Sequence, residues 1–176
     1  MEPVDEDSLE WSETDRGATA FRRKQLGRAA GGEQLGASLY ELPAGTRSWP
    51  YHYHTGNEEA IYVLSGEGTL RVGGEDEWTR YRLTAGDYVA LPAGAESAHQ
   101  VTNADVDAAG DDPDDDRPPL RYLAVSTMND PDVTVYPDSE KLGLFAGAAP
   151  GGDSSERVVD GYYPRDAAVD YWEGEE

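Results

Sequence analysis

The chain has 176 residues, enough for one domain with a small appendage, and carries 36 Asp+Glu against 14 Lys+Arg for a formal net charge of -22. It has no cysteine, which excludes a disulfide scaffold, a thiolate zinc site, an iron–sulfur cluster and a cysteine nucleophile. The acid excess repels nucleic-acid phosphates and anionic membranes, and no apolar run of about 18 residues is present, so neither nucleic acid nor membrane is an expected partner.

The acidic opening, from Met1 to Asp7, lacks the basic and apolar regions of a secretory signal, and a cytoplasmic location is expected. Only Lys24 and Lys141 are lysines; the other basic residues are arginines. Acid excess with lysine scarcity, spread along the whole chain, is expected of a protein folded in molar salt. There the Debye length falls to about 3 Å and self-repulsion is screened.

In chain order, residues 1–17 read as a flexible acidic arm. From residue 19 onward the apolar pattern has period two, and strands are predicted at 19–26, 35–42, 49–54, 59–64, 68–72, 78–83, 87–91, 98–103 and 120–127. Glycine and proline turns punctuate them, and Gly73-Gly74 reads as a tight hairpin. Many short strands with such turns predict an all-β sandwich or barrel, with no helix of substantial length. Residues 104–119, rich in Asp and bounded by Pro, read as a solvated acidic loop inserted before the last barrel strand. Residues 132–136 and 142–145 are a further strand pair, 147–155 a flexible linker, and the aromatic tail to Trp172 is expected to pack on the barrel or on a partner subunit.

The chemistry rests on the three histidines, His52, His54 and His99. His52 and His54, two apart on a predicted strand, project from one face. Glu59 opens the next strand after a short turn, and His99 begins a later one. Three imidazoles and a carboxylate on inward faces predict a mononuclear site for one divalent transition metal, with Fe, Mn, Ni, Co, Cu or Zn preferred over Mg or Ca. Ile61 and Val63 share the face of Glu59, and Val101 and Asn103 that of His99, so the surrounding cavity is expected to be partly apolar. Tyr40, Arg47, Glu58 and Arg121 are the polar residues expected near its mouth, and Trp49, Tyr51 and Tyr53 are expected on the opposite side of their strand.

Residues 45–66 resemble the first cupin motif: Gly45, the His52-x-His54 pair, Glu59 and Gly66. Residues 86–103 resemble the second: Gly86, Pro92-x-Gly94, His99 and Asn103. One extra residue lies between Gly45 and His52, and two between Gly94 and His99. The resemblance implies an all-β fold, the cupin double-stranded β-helix or jelly-roll barrel, with N- and C-terminal extensions. Its domain organisation would be an arm at 1–17, a barrel at 18–136 and an extension at 137–176. It also implies His52, His54, Glu59 and His99 as metal ligands, with Glu58 the competing carboxylate, and a homodimer.

Known cupins with this ligand set include dioxygenases, oxalate oxidases and decarboxylases, and sugar isomerases, while others only bind a ligand. The function expected is therefore an enzyme acting on a small organic acid, sugar or phenolic ligand by inner-sphere coordination. The alternatives are a non-catalytic binding or sensing module anchored by the metal, and a metal that only stabilises the barrel.

Overall fold

The computed structural model describes residues 2–104 and 117–175. The chain enters through a single 3-10 turn, Glu6–Ser8, and then forms β1 (Ser12–Arg16) and β2 (Thr19–Lys24). One helical turn, α1 (Leu26–Ala29), leads to β3 (Leu35–Leu42), and a long loop to β4 (Tyr53–His54). Next come β5 (Glu59–Ser65), β6 (Glu67–Gly73), β7 (Trp78–Thr84), β8 (Tyr88–Leu91) and β9 (Ala98–Thr102). After the acidic stretch follow β10 (Leu120–Thr127), β11 (Asp132–Tyr136), β12 (Lys141–Ala146) and β13 (Val159–Pro164).

Two β layers result. One is a six-stranded sheet in the order β1-β2-β3-β10-β5-β8. The other consists of β13-β12-β11-β4 and β7-β6-β9. These two parts are joined where His52 N donates to His99 O at 3.1 Å and His99 N to His52 O at 2.8 Å. Arg47 bridges Thr19, the first residue of β2, and Thr102 of β9, so the layers also meet along one flank.

Inward residues alternate as period two requires. Tyr40 and Leu42 of β3, Leu120 and Tyr122 of β10, and Ile61 and Val63 of β5 face Leu70 of β6, Leu83 of β7 and Val101 of β9 in one apolar core. Each such buried aliphatic side chain contributes about 1.5–3 kcal/mol relative to exposure. Glu59 and His99 stand on the same inward faces as this core, one pleat repeat beyond Ile61 and Val101, so the core forms the floor of the site.

Several segments depart from the sequence expectation. The supposed loose arm is tied down: β1 pairs with β2 from Ser12↔Arg23 to Arg16↔Thr19, and Lys24 Nζ donates to Glu6 O at 2.7 Å. The Trp11 ring lies 4.6 Å from both Arg22 and Lys24, and these cation–π contacts explain why an acidic segment holds to the sheet. The strand expected over 49–54 is regular only at Tyr53–His54, because His52 pairs with β9 while its successors pair with β11. The hairpin at Gly73 opens after the Gly73↔Trp78 pair, so its loop runs through residues 74–77 rather than turning at two glycines.

The supposed linker is also ordered. Gln25 Nε2 donates to Gly151 O at 3.1 Å, Arg28 pairs with Asp153 at 2.9 Å, and Ala149 is buried. β13 adds to β12, while Tyr171 and Trp172 stay exposed and meet each other edge to face. Most of the acidic insertion, residues 105–116, lies outside the described residues. No helix among those described is long and apolar enough to cross a membrane.

Candidate metal centre

The loop before Glu59 is anchored by Asn57, a buried residue. Asn57 Oδ1 accepts from Asn129 N at 2.7 Å and from Thr127 Oγ1 at 3.0 Å. Thr127 N in turn donates to Glu58 O at 2.9 Å. These bonds fix the start of β5, so Glu59 turns inward and Glu58 is left exposed.

His99 follows a 3-10 turn, Ala95–Ser97, which takes up the extra residues between Gly94 and the histidine without moving it from its strand. The result is convergence on one carboxylate oxygen. Glu59 Oε2 lies 3.2 Å from His99 Nε2, 3.6 Å from His54 Nε2 and 3.9 Å from His52 Nε2. Donor atoms of His52, Glu59 and His99 all fall within 4.8 Å of one another, and His54 completes the cluster from the strand side.

The other ring nitrogens reveal the charge pattern. His52 Nδ1 is 2.7 Å from Pro50 O, His99 Nδ1 is 3.0 Å from Ser97 O, and His54 Nδ1 is 2.5 Å from Asp132 Oδ2. Carbonyl and carboxylate oxygens only accept, so each Nδ1 carries the proton and donates. In the neutral imidazoles each Nε2 therefore presents a lone pair toward Glu59. While the rings are neutral, acceptors surround an acceptor and a cation would satisfy them; without one, protonation of His54 supplies a donor to Glu59. Outer partners that orient each imidazole in this way are characteristic of metal-binding histidines.

In the ion-free cluster the three rings differ in proton affinity. Burial holds the His52 imidazolium down, aided by His99, to about 3, so His52 stays neutral near neutrality. Burial also opposes charging of His54, but its bond to Asp132 and the charges of Glu59 and Asp132 prevail and raise it above the usual histidine value. Burial pushes the Glu59 carboxyl up, yet the histidines, led by His99, outweigh it and hold it at about 2. Asp132 is likewise raised by burial and lowered overall by His54 and Gly56 N.

A cavity of about 810 Å³ opens over the cluster. Tyr40, Ser48, Tyr122, Thr134 and Tyr136 are among its walls, and the segment around Ala149 and Gly151 also lines it. Of the polar residues expected at the mouth, only Tyr40 is there. Arg121 binds Glu6 and Glu41, and Arg47 is engaged through its backbone. Trp49 also lines the cavity instead of facing away: its Nε1 donates to Tyr40 OH at 2.9 Å, which draws the indole inward.

Sequence reasoning missed Asp132, which holds His54, and did not place Arg23 or Tyr122 on the cavity wall. The alternation Asp132, Thr134, Tyr136 was the available signal for a polar inward face on β11.

A family model described as the cupin domain matches residues 38–109. A sugar phosphate isomerase of the cupin superfamily from Silicibacter pomeroyi superposes with TM-score 0.70 at 24% identity, covering 94% of each chain. The chain is a cupin. The fold of this cupin is also that of a putative sugar phosphate isomerase from Acidithiobacillus ferrooxidans, at TM-score 0.63 and 30% identity over 78% of this chain and 80% of the other. Within 46 residues it is 46% identical to acireductone dioxygenase of Tuber melanosporum, a stretch covering 25% of this cupin and 27% of the dioxygenase. The cupin thus spans only about a quarter of that curated relative.

Proposed function

We propose that this cupin is a metal-dependent enzyme in which His52, His54, Glu59 and His99 hold one divalent transition ion (Fe, Mn, Ni, Co, Cu or Zn) at the floor of the cavity. The observation that carries the reading is the tautomer pattern: three Nδ1 atoms spent on outward acceptors, leaving three Nε2 lone pairs around Glu59. Borderline nitrogen donors with one hard oxygen suit such an ion. When bound, it would supply Lewis-acid polarisation of a carbonyl or hydroxyl-bearing substrate.

The chain's own residues do the rest. Asp132, Pro50 and Ser97 hold the imidazoles in register, and the apolar floor of Ile61 and Val101 excludes water. The ligand is a small organic acid, sugar or phenolic compound. Among the candidate reactions, isomerisation of a sugar phosphate draws support along most of the chain, through the Acidithiobacillus relative. Dioxygenase chemistry draws support only over a quarter of it.

The test is elemental analysis after loading, followed by turnover assays on aldose and ketose phosphates and by oxygen-uptake measurements. One ion per chain, lost in His54→Ala and His99→Ala, is expected. Full occupancy in both variants defeats the ligand assignment, and saturable ligand binding without turnover assigns the protein to a non-catalytic binding module. The expected homodimer draws support from the exposed Tyr62, Leu64 and Tyr88 on the outer face of β5 and β8. Light scattering that returns a single-chain mass contradicts it.

A further inference from the structure

Arg23 sits on β2, two residues beyond Phe21 and on the same inward side, and lines the cavity that holds the histidine cluster. Its guanidinium lies 6.0 Å from the ring centroid of Tyr40 and 5.7 Å from that of Trp49. Its Nη1 reaches Tyr40 OH only at 3.5 Å, and its Nε is buried with no hydrogen-bond partner among the described residues; the Nε atoms of Arg71 and Arg121 share that state, but their guanidinium groups are ion-paired. Among the described residues no carboxylate oxygen lies within 4.0 Å of it, whereas Arg22, Arg28, Arg71, Arg121, Arg157 and Arg165 each hold one.

Arg16, Arg47 and Arg80 show no such pair either, but of the three arginines lining the cavity, Arg23, Arg28 and Arg157, Arg23 is the one without a carboxylate partner among the described residues. Beside Arg23 the wall is the aromatic pair Tyr40 and Trp49, which supplies packing but no counter-charge, and the carboxylates that line the cavity elsewhere, Glu33, Glu59, Asp130, Asp153 and Glu156, form no ion pair with it. A buried guanidinium nitrogen without an acceptor is unfavourable unless something else satisfies it. The fork geometry of Arg is suited to a planar carboxylate or a phosphate face.

Position adds a length requirement. The sheet order β2-β3-β10-β5 puts three strand spacings, about 14 Å, between the strands that carry Arg23 and Glu59. Tyr40 and Tyr122, stacked at 5.1 Å, pave the floor between them. A ligand that touches both ends has a chain of several atoms.

We infer that Arg23 anchors an oxyanion group of the ligand, a phosphate or a carboxylate, whose other end reaches His52, His54, Glu59 and His99. The inference rests on the reading of this cavity as the substrate site and names the substrate class: an elongated small molecule, acidic at one end and bearing oxygen donors at the other. Tyr40 and Trp49 act as positioning residues that hold the guanidinium in place.

The experiment uses metal-free full-length protein at fixed chloride, so that an ion in the cluster cannot itself bind the probe. Inorganic phosphate and succinate are titrated by calorimetry into the wild type and Arg23→Gln. Saturable binding of at least one anion, weakened about ten- to a hundredfold in Arg23→Gln, is expected. Near-UV circular dichroism and metal stoichiometry on reloading should be unchanged. Phosphate preference assigns a phosphate ester, and succinate preference a carboxylic acid.

A second readout needs no altered fold. The Arg23 Nε–H resonance of the ¹⁵N-labelled wild type, assigned with Arg23→Lys, should shift saturably with the bound anion. Binding unchanged in Arg23→Gln, no binding by the wild type, or an unmoved Arg23 resonance overturns the proposal. Because metal stoichiometry is read separately, failure here is distinguishable from failure of the metal assignment.

Discussion

His54 Nδ1 lies 2.5 Å from Oδ2 of Asp132, a carboxylate 78 residues further along the chain whose side chain has no exposed surface. The same carboxylate accepts from Gly56 N at 3.0 Å, so it fixes both the imidazole and the loop behind it. Asp132→Asn removes the charge while keeping the shape. It should weaken metal binding about 10- to 100-fold, the usual loss when such an outer partner is altered. Chelator competition measures this, and affinity equal to the wild type would remove Asp132 from the site.

Metal uptake should depend on pH through His54. Its imidazolium is favoured by Asp132 and Glu59, so its titration lies above the ordinary histidine value of 6.5. The ion needs the neutral ring, and occupancy should therefore begin to fall on acidification before pH 6.5 is reached. Asp132→Asn should move that fall to lower pH. A midpoint unmoved by the substitution would detach the dependence from His54.

The metal-free protein should lose stability in acid for a separate reason. His52 titrates at about 3 when folded and at 6.5 when unfolded, so between these values the unfolded chain binds more protons. Stability then drops as pH falls from 6.5 toward 3. Glu59, held at about 2 against 4.5, adds a further loss below pH 4.5. His54 acts in the opposite sense: its raised value gives stabilisation that is complete below 6.5 and disappears as pH rises through its folded value. Thermal melting of chelated protein against pH should show the acid-side fall, and His52→Gln should flatten it.

Salt should stabilise the fold. With a formal net charge of -22, self-repulsion is the dominant long-range term, and raising salt from 0.1 to 1 M shortens the Debye length from about 10 Å to about 3 Å. The melting temperature should climb steadily with potassium chloride. A flat or falling curve would contradict adaptation to salt.

Gly66 turns between β5 and β6 at φ 81°, and a Cβ there would stand 2.6 Å from Pro119 O and 3.0 Å from the Leu120 Cα. Both neighbours are backbone and cannot rotate away. Gly66→Ala should lower stability by more than about 1–2 kcal/mol, the price of the left-handed conformation alone. A melting temperature within a degree of the wild type would refute the close approach.

The strands of the core were legible because alternation is a local property. Leu35–Leu42, Leu120–Thr127 and Asp132–Tyr136 form with the bounds their pattern predicts. The convergence of His52, His54, Glu59 and His99 was legible for a related reason: parity on a strand decides the face. Asp132 was hidden because its role depends on β11 lying beside β4, a pairing that no local pattern encodes. Arg23 was hidden because an arginine on a strand next to Arg22 reads as surface, and only the sheet order reveals which of the two points inward. The arm at Ser12–Arg16 was misread because its affinity for the sheet comes from Trp11 over Arg22 and Lys24, not from apolar alternation.

β10 lies between β3 and β5, which places Leu120 beside Leu42 and Arg121 beside Ser65. During synthesis, β3 and β5 therefore leave the ribosome with unpaired edges and wait for a strand made much later. Asp132, which steadies His54, emerges later still. Non-local pairing of this kind slows folding and leaves sticky edges exposed meanwhile. An ion held by this cluster would accordingly be captured near the end of translation or after it, and a nascent chain stalled before β10 should recruit chaperones but no metal.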